Sequence, residues 1–314
     1  MNIEIRKGDK WDKYYLAHSF RDNGKVRKIR IYLGKNLTKI EKEKRREKAE
    51  KEIEERIKLY KVIRDPLRTV LSPKELEQIK GLEVRTKFDI IHLNEDDWKN
   101  FIESFTYDTN AIEGSTINSR EVKEILEEDQ WPKNREKWEI SETYGVSEAI
   151  KFIRKTEDHM SLDLMKTLHK IVFRNSKEFA GKFRPKGVEV AVISKSSGII
   201  HKGAPSSLVR KLLKELVEWY YENKEKYPPL LLAAVVHNQF ENIHPFQDGN
   251  ERVGRLLMNN ILLKHNLPPV NIELKNRREY YNTLKEYEKD GNIRPTVELI
   301  LKEYKSLKKL IKDG

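Results

Sequence analysis

Trp98, Phe101, Ile102 and Phe105 stand at i, i+3, i+4 and i+7, which puts four large apolar side chains on one face of an α-helix. The same period returns over segments near 141–155, 161–175, 206–223, 229–242, 249–264, 276–289 and 295–312. Start and stop signals punctuate it. Ser72 with Glu75 and Asn118 with Glu121 make capping boxes, and Gly114 closes the helix that opens near Asn94. A chain with this many one-sided helices must bury them against each other, so the expected fold class is mainly α.

Two places break the helical period. Residues 11–34 read as two strands, WDKYYLAHSF and KVRKIRIYLG, joined through Arg21-Asp22-Asn23-Gly24, whose Asn-Gly pair supplies the positive φ of a tight hairpin. VEVAVI, a polar turn over 194–198, and GIIH predict a second, short β-hairpin among the helices. From Thr38, which pairs with Glu41 as a capping box, KIEKEKRREKAEKEIEERIKLYK forms a helix with sparse apolar positions at Ile53 and Ile57, the pattern of an exposed connection. The expected organisation is a β-hairpin appendage over 1–37, charged connecting helices over 38–93, and a helical domain with a short hairpin over 94–314.

Composition narrows the function. With no cysteine among 314 residues, disulfides, thiolate catalysis, iron–sulfur clusters and Cys-type zinc sites are excluded. Charged residues make up 36%, mostly Lys and Glu, and Gln occurs four times, a composition similar to that of hyperthermophile proteins. Apolar runs such as 230–236 fall far short of the roughly 20 residues a bilayer crossing needs. The start MNIEIRKGDKW lacks the apolar core of a signal peptide, so a cytoplasmic protein is expected. The formal charge of +12 leaves nucleic acid open as a partner without favouring it, because acids are interleaved with the bases. No G-x-x-x-x-G-K-[ST] occurs, which excludes a Walker-type NTPase.

Chemistry concentrates in His244-Pro245-Phe246-Gln247-Asp248-Gly249-Asn250-Glu251-Arg252-Val253-Gly254-Arg255. Asp248-Gly249-Asn250 reads as a turn into a helix, whose first N–H groups and dipole suit a phosphate. Arg252 and Arg255, three apart, project from one face and can grip phosphate oxygens. Asp248 at the mouth can hold Mg²⁺ together with phosphate oxygens. His244 sits just before the turn, and an unperturbed imidazole suits a general base. His237, His169 and His201 have no such constellation around them, and His237 reads as a packing or hydrogen-bonding residue.

This segment resembles the motif of the Fic domain family, His-Pro-Phe-x-Asp/Glu-Gly-Asn-Gly/Lys-Arg-x-x-Arg. The likeness extends to Gly181-Lys182-Phe183-Arg184, to the hairpin, and to RREYYNTLKEYEKDGNIRP downstream, over roughly residues 95–300. The resemblance implies an all-α domain with a hairpin flap, and adenylylation: transfer of AMP from ATP, with Mg²⁺, to a Ser, Thr or Tyr hydroxyl of a protein. It implies His244 as base, Asp248 on Mg²⁺, Asn250 at the α-phosphate, Arg252 toward the β-phosphate, Arg255 at the γ-phosphate, Phe246 anchoring the loop, and Gly249 among the nucleotide-binding residues. The flap near 188–201, with Val190, Ala191, Val192 and Ile193, would pair with extended target backbone. Self-modification and homodimerisation are implied in the same way.

Thr109-Asn110-Ala111-Ile112-Glu113-Gly114 is similar to a second pattern of the family, Ser/Thr-x-x-x-Glu-Gly/Asn, on an inhibitory helix, here about 94–114. The resemblance implies that Glu113, on the same face as Thr109, binds Arg255 and keeps the γ-phosphate from seating; in some members this Glu also serves removal of AMP. Glu251 departs from the Gly or Lys of the motif, adding bulk and negative charge beside an anion site. Three other readings follow: transfer of phosphate or use of another nucleotide, an inactive Fic-fold interaction module, and a nucleic-acid-binding regulator acting through residues 1–37, which faintly resemble β modules of some transposases.

Overall fold

The structure is a computed structural model that describes residues 1–22, 25–64, 66–86, 94–194 and 198–312. The Asn23-Gly24 turn and the middle of the polar turn, residues 195–197, lie outside the described residues. The chain divides into two compact units, Met1–Val62 and Ile63–Gly314.

In the first unit three strands, β1 (Asn2–Arg6), β2 (Lys13–Asp22) and β3 (Lys25–Lys35), form an antiparallel sheet in the order β1-β2-β3. The sequence reading anticipated β2 and β3 but not β1, whose five residues are too few to show a clear alternation. Helix α1 (Lys39–Arg64) starts on the Thr38–Glu41 capping box, in which the Thr38 N–H donates to Glu41 at 2.8 Å. It differs from the exposed connection expected: Ala49 and Ile53 are buried with Tyr14, Leu16, Leu33 and Leu37, and Ile3 and Ile57 pack on them. Two or three apolar turns of helix suffice to cover a sheet this narrow, so the appendage extends past residue 37 to include the helix. A bulge at Tyr14/Tyr15 opposes Gly34, where a Cβ would meet Arg45 Nη1 at 2.6 Å, and that guanidinium donates to the Leu33 carbonyl at 2.7 Å.

The second unit is helical: α2 (Pro73–Thr86), α3 (Glu95–Ile112), α4 (Ser119–Glu128), α5 (Lys137–Lys155), α6 (Leu162–Phe173), α7 (Val209–Asn223), α8 (Pro229–Ile243), α9 (Asn250–Lys264), α10 (Arg277–Asp290) and α11 (Arg294–Lys312). The one interruption among its described residues is the antiparallel hairpin β4 (Ala191–Ser194) and β5 (Gly198–Lys202). These bounds follow the sequence periods closely. Pro228-Pro229 opens α8, and Leu230 through Ile243 are all buried. The first half of α8 is apolar and makes the core; the second half, His237-Asn238-Gln239-Phe240-Glu241-Asn242, is polar, and its burial requires partners nearby. α9 packs along α8, and residues 244–249 connect them. Every residue with chemistry in the motif therefore sits at one end of the central helix pair.

Candidate active site

His244 ends α8 in the left-handed region, φ +51°, so its side chain leaves the helix line while its N–H still bonds the Phe240 carbonyl at 2.9 Å. Its Nδ1 lies 3.3 Å from the Glu241 carbonyl, the geometry for Nδ1–H to donate there and leave Nε2 as the basic nitrogen. Four carbonyls around it are held by one buried guanidinium. Arg184 donates from Nε to His244 O at 2.8 Å, from Nη1 to Val188 O at 2.9 Å, and from Nη2 to Ile243 O at 3.3 Å and to Ala204 O. Its own N–H donates to Pro245 O at 2.9 Å. Arg184 thus fixes the backbone around His244.

The other side of the loop is fixed by His169, which sequence reading left without a role. Its Nδ1 accepts the Gly181 N–H at 2.8 Å, so Nε2 carries the proton and donates to Asp248 O at 3.1 Å. Its ring stacks on buried Phe246 at 3.9 Å, and burial lowers its pKa to about 4, so it stays neutral. Nothing in the local sequence marks it, because its partners are 12 and 79 residues away. Asn250 accepts the Phe246 N–H at 2.7 Å and donates to Phe246 O at 3.1 Å. Its side chain therefore braces the loop, and what it offers an anion is mainly its backbone N–H.

Gly249 precedes α9 at φ +74°, and a Cβ there would lie 2.2 Å from Phe173 Cζ, so glycine is required on both counts. No side chain caps this helix start, which leaves its first N–H groups to a ligand. Arg252, buried, donates to Glu142 at 2.5 Å and Asn110 at 3.3 Å, with its guanidinium 4.6 Å over Phe173. Its Nε and Asn110 Nδ2 are buried donors with no partner among the described residues, as an anion site requires. Asp248 is half exposed and accepts from Lys177 at 2.9 Å. Burial raises its pKa, but the Lys177 bond and charge, Arg252 and the Gly249 N–H outweigh that and hold it below the usual range. A single carboxylate at a phosphate site is the donor set Mg²⁺ accepts.

Arg255, 1% exposed, reaches α3. Nε donates to Thr109 Oγ1 at 2.7 Å, and Nη2 donates to Thr109 O at 3.0 Å and Glu113 Oε1 at 2.8 Å; Nη1 donates to the Tyr280 hydroxyl at 3.3 Å. Glu113 is the C-cap of α3, next to Gly114 at φ +94°. Burial pushes its carboxyl up, yet the Arg255 charge, a hydrogen bond with Glu251 and the Arg252 charge together keep it below the usual range. Glu251 points inward. It accepts the Tyr281 O–H at 2.9 Å, lies 3.9 Å from Arg255, and is pushed well above the usual carboxylate range by burial and by Glu113. Of this carboxyl pair Glu251 is the one that burial and its neighbour push toward the protonated form, and Glu113 the one that Arg255 holds toward the carboxylate. The departure from the motif is thus a buried acid set beside Glu113 and Tyr281. Glu241 adds a third buried acid, raised to about 8 chiefly by burial. His237 is buried, with Nε2 3.1 Å from the Tyr280 hydroxyl, a hydrogen-bonding residue as its lone position suggested.

The hairpin is tied to the loop at its root. The Gly203 N–H donates to Val190 O at 3.1 Å, and the Ala204 N–H to Ile243 O at 3.2 Å. Val190 is half-buried and Ala191 exposed. The side chains of Val192, Ile193 and His201 lie outside the description; their backbone pairs Val192 with His201 and Ile193 with Ile199.

The Fic/DOC family model matches residues 159–262, which hold His169, Arg184, the hairpin and the whole motif. The chain carries a Fic domain. The protein adenylyltransferase fic-1 of Caenorhabditis elegans is 31% identical over 205 residues, 63% of this chain and 39% of that protein. The protein adenylyltransferase Fic of Nematostella vectensis is 30% identical over 200 residues, 62% of this chain and 45% of that one. The chain thus spans less than half the length of these two relatives. The solved C. elegans Fic-1 fragment superposes with a TM-score of 0.63 at 26% identity, covering 77% of this chain and 71% of that one. A Fic domain signalling protein of Bacteroides thetaiotaomicron, 21% identical, shares the fold with a TM-score of 0.62 over 74% of this chain and 95% of that chain. The Fic domain here is helical with a hairpin beside its motif, as the resemblance implied.

Proposed function

We propose that the chain is a self-inhibited protein adenylyltransferase that moves AMP from ATP to a Ser, Thr or Tyr hydroxyl of a protein. His244 Nε2 removes the hydroxyl proton, the oxygen attacks the α-phosphorus, and the bond to the leaving pyrophosphate breaks. The first turn of α9 and Arg252 hold the phosphates, which supplies most of what phosphoryl chemistry needs from a protein. Asp248 would hold Mg²⁺, which would neutralise charge on the departing pyrophosphate; Lys177 must then leave it. Arg184 and His169 keep the His244 loop in register with the phosphate site. Extended target backbone adds to the β4–β5 hairpin as a further strand.

One observation carries the reading of self-inhibition: the Arg255 guanidinium, the group that would meet a γ-phosphate, is already taken by Thr109 and Glu113. The experiment is intact mass spectrometry of the wild type, Glu113→Gly and His244→Ala after incubation with ATP and Mg²⁺, alone and with a cell extract as target source. An AMP increment on Glu113→Gly, weak on wild type and absent with His244→Ala, supports the proposal. A phosphate increment, or none on any protein in the mixture, overturns it.

Among the described residues no helix is long and apolar enough to cross a membrane.

A further inference from the structure

The first 37 residues hold ten Lys and Arg against four acids, a net +6, so half of the chain's +12 sits on about an eighth of its length. In sequence those charges are mixed with apolar residues; the pleat sorts them. Tyr14, Leu16 and Leu33 turn to α1 and are buried. The opposite face is set by the register Arg6↔Lys13, Glu4↔Tyr15, Tyr15↔Tyr32, Ala17↔Arg30 and Ser19↔Lys28. It is therefore basic and aromatic, with Arg6, Lys13, Lys28 and Arg30 around Tyr15 and Tyr32. The two rings meet at 5.3 Å, and the Arg6 guanidinium lies 5.0 Å over Tyr15. Glu4 is the single acid on this face; Asp9 and Asp12 fall in the connection before β2 and Asp22 at its far end. Glu4 pairs with both Arg30 and Lys28, yet those side chains stay 39% and 37% exposed, and Tyr32 is 49% exposed. A sheet whose apolar face is already covered by a helix has no structural need for positive charge on its other face.

We propose that this face of the β1-β2-β3 sheet binds duplex DNA. The β2–β3 ribbon has the width that the major groove of B-form DNA admits, with basic side chains at its margins reaching phosphates, exposed Ser19 allowing close approach, and Tyr15 and Tyr32 as apolar contacts to bases. Duplex RNA fits worse, since its major groove is too narrow for a ribbon. The assignment is independent of the transferase reading.

The test is fluorescence anisotropy of the full chain with a labelled DNA duplex between about 50 and 200 mM salt. The variant Arg6→Gln/Lys28→Gln/Arg30→Gln is expected to weaken binding by at least about tenfold and to reduce the salt slope by about three, one for each phosphate no longer neutralised. Glu4→Gln, which removes the one opposing charge, is expected to bind more tightly, a result that loss of folding cannot produce. An unchanged thermal midpoint for the triple variant completes the support. No binding by wild type at the low salt end, an equal salt slope for wild type and triple variant, weaker binding by Glu4→Gln, or preference for duplex RNA would each overturn the assignment.

Discussion

Arg255 and Glu113 are 142 positions apart in sequence, and Nη2 of the one donates to Oε1 of the other at 2.8 Å in a site where the guanidinium is almost wholly enclosed. A hydrogen bond to a charged group contributes about 1.5–3 kcal/mol. Glu113→Gly is therefore expected to raise AMP transfer by roughly ten- to a hundredfold, as about 1.4 kcal/mol corresponds to tenfold. Time-resolved mass spectrometry of modified protein measures it, and a rate equal to wild type would remove Glu113 from the inhibitory contact.

Burial and Glu113 push Glu251 toward its protonated form, so glutamine, the neutral counterpart of that form, should reproduce it. Glu251→Gln is expected to keep wild-type inhibition near neutral pH, whereas Glu251→Gly loses the donor and loosens Glu113. As pH rises through the elevated pKa of Glu251, a second negative charge appears beside Glu113 and the inhibited state weakens. The ratio of wild-type to Glu251→Gln transfer rates should then climb with pH; a flat ratio contradicts the raised pKa of Glu251.

Stability should fall as the solution becomes alkaline. Glu241 is raised from an ordinary carboxylate value to about 8, and burial raises Glu303 and Glu83 to about 7. In this window the folded state binds more protons than the unfolded one, so the stability these groups contribute is full below their unfolded pKa near 4.5 and is lost as pH rises through 7 to 8. Each contributes a slope of at most about 1.4 kcal/mol per pH unit. Denaturant midpoints measured from pH 5 to 8 should decline for wild type, and less steeply for Glu241→Gln.

Gly249→Ala combines a left-handed backbone, at about 1–2 kcal/mol, with a Cβ driven into the ring of Phe173. Overpacking of this kind adds about 1–3 kcal/mol. A loss of roughly 2–5 kcal/mol in chemical denaturation is expected, together with loss of transfer because the α9 start is displaced.

His169→Phe keeps the stacking on Phe246 but removes the bonds to Gly181 and Asp248. At about 1 kcal/mol per bond, the two bonds correspond to a drop of up to roughly thirtyfold in kcat, with KM for ATP moving less, since the loop and not the Arg252 pocket is disturbed. Steady-state kinetics on a Glu113→Gly background decide this.

The sequence carried the helical segments within a few residues, because apolar period and caps are local signals. It also carried the loop and helix start at 244–255, where turn chemistry and charges crowd into twelve positions. It did not carry what depends on distant partners. Glu251 could face solvent or interior on spacing alone, and Tyr281, thirty positions on, turns it inward. Arg184 was visible as a motif residue, but its hold on the His244 carbonyl needs a chain reversal of 60 residues. α1 looked exposed because Ala49 does not register as an apolar position until a sheet lies under it.

Glu113 supplies only one of the three bonds that tie Arg255 to α3; Thr109 supplies the other two, one from its side chain and one from its backbone carbonyl. The latch is therefore the end of a helix and not a single carboxylate. Substitutions in α3 can lift it only in part, because none of them deletes the Thr109 carbonyl. A binding event that peeled back the last turn of α3 would release all three bonds in one movement and leave Arg255 intact, which gives a partner protein more leverage over this site than any point mutation in that helix has.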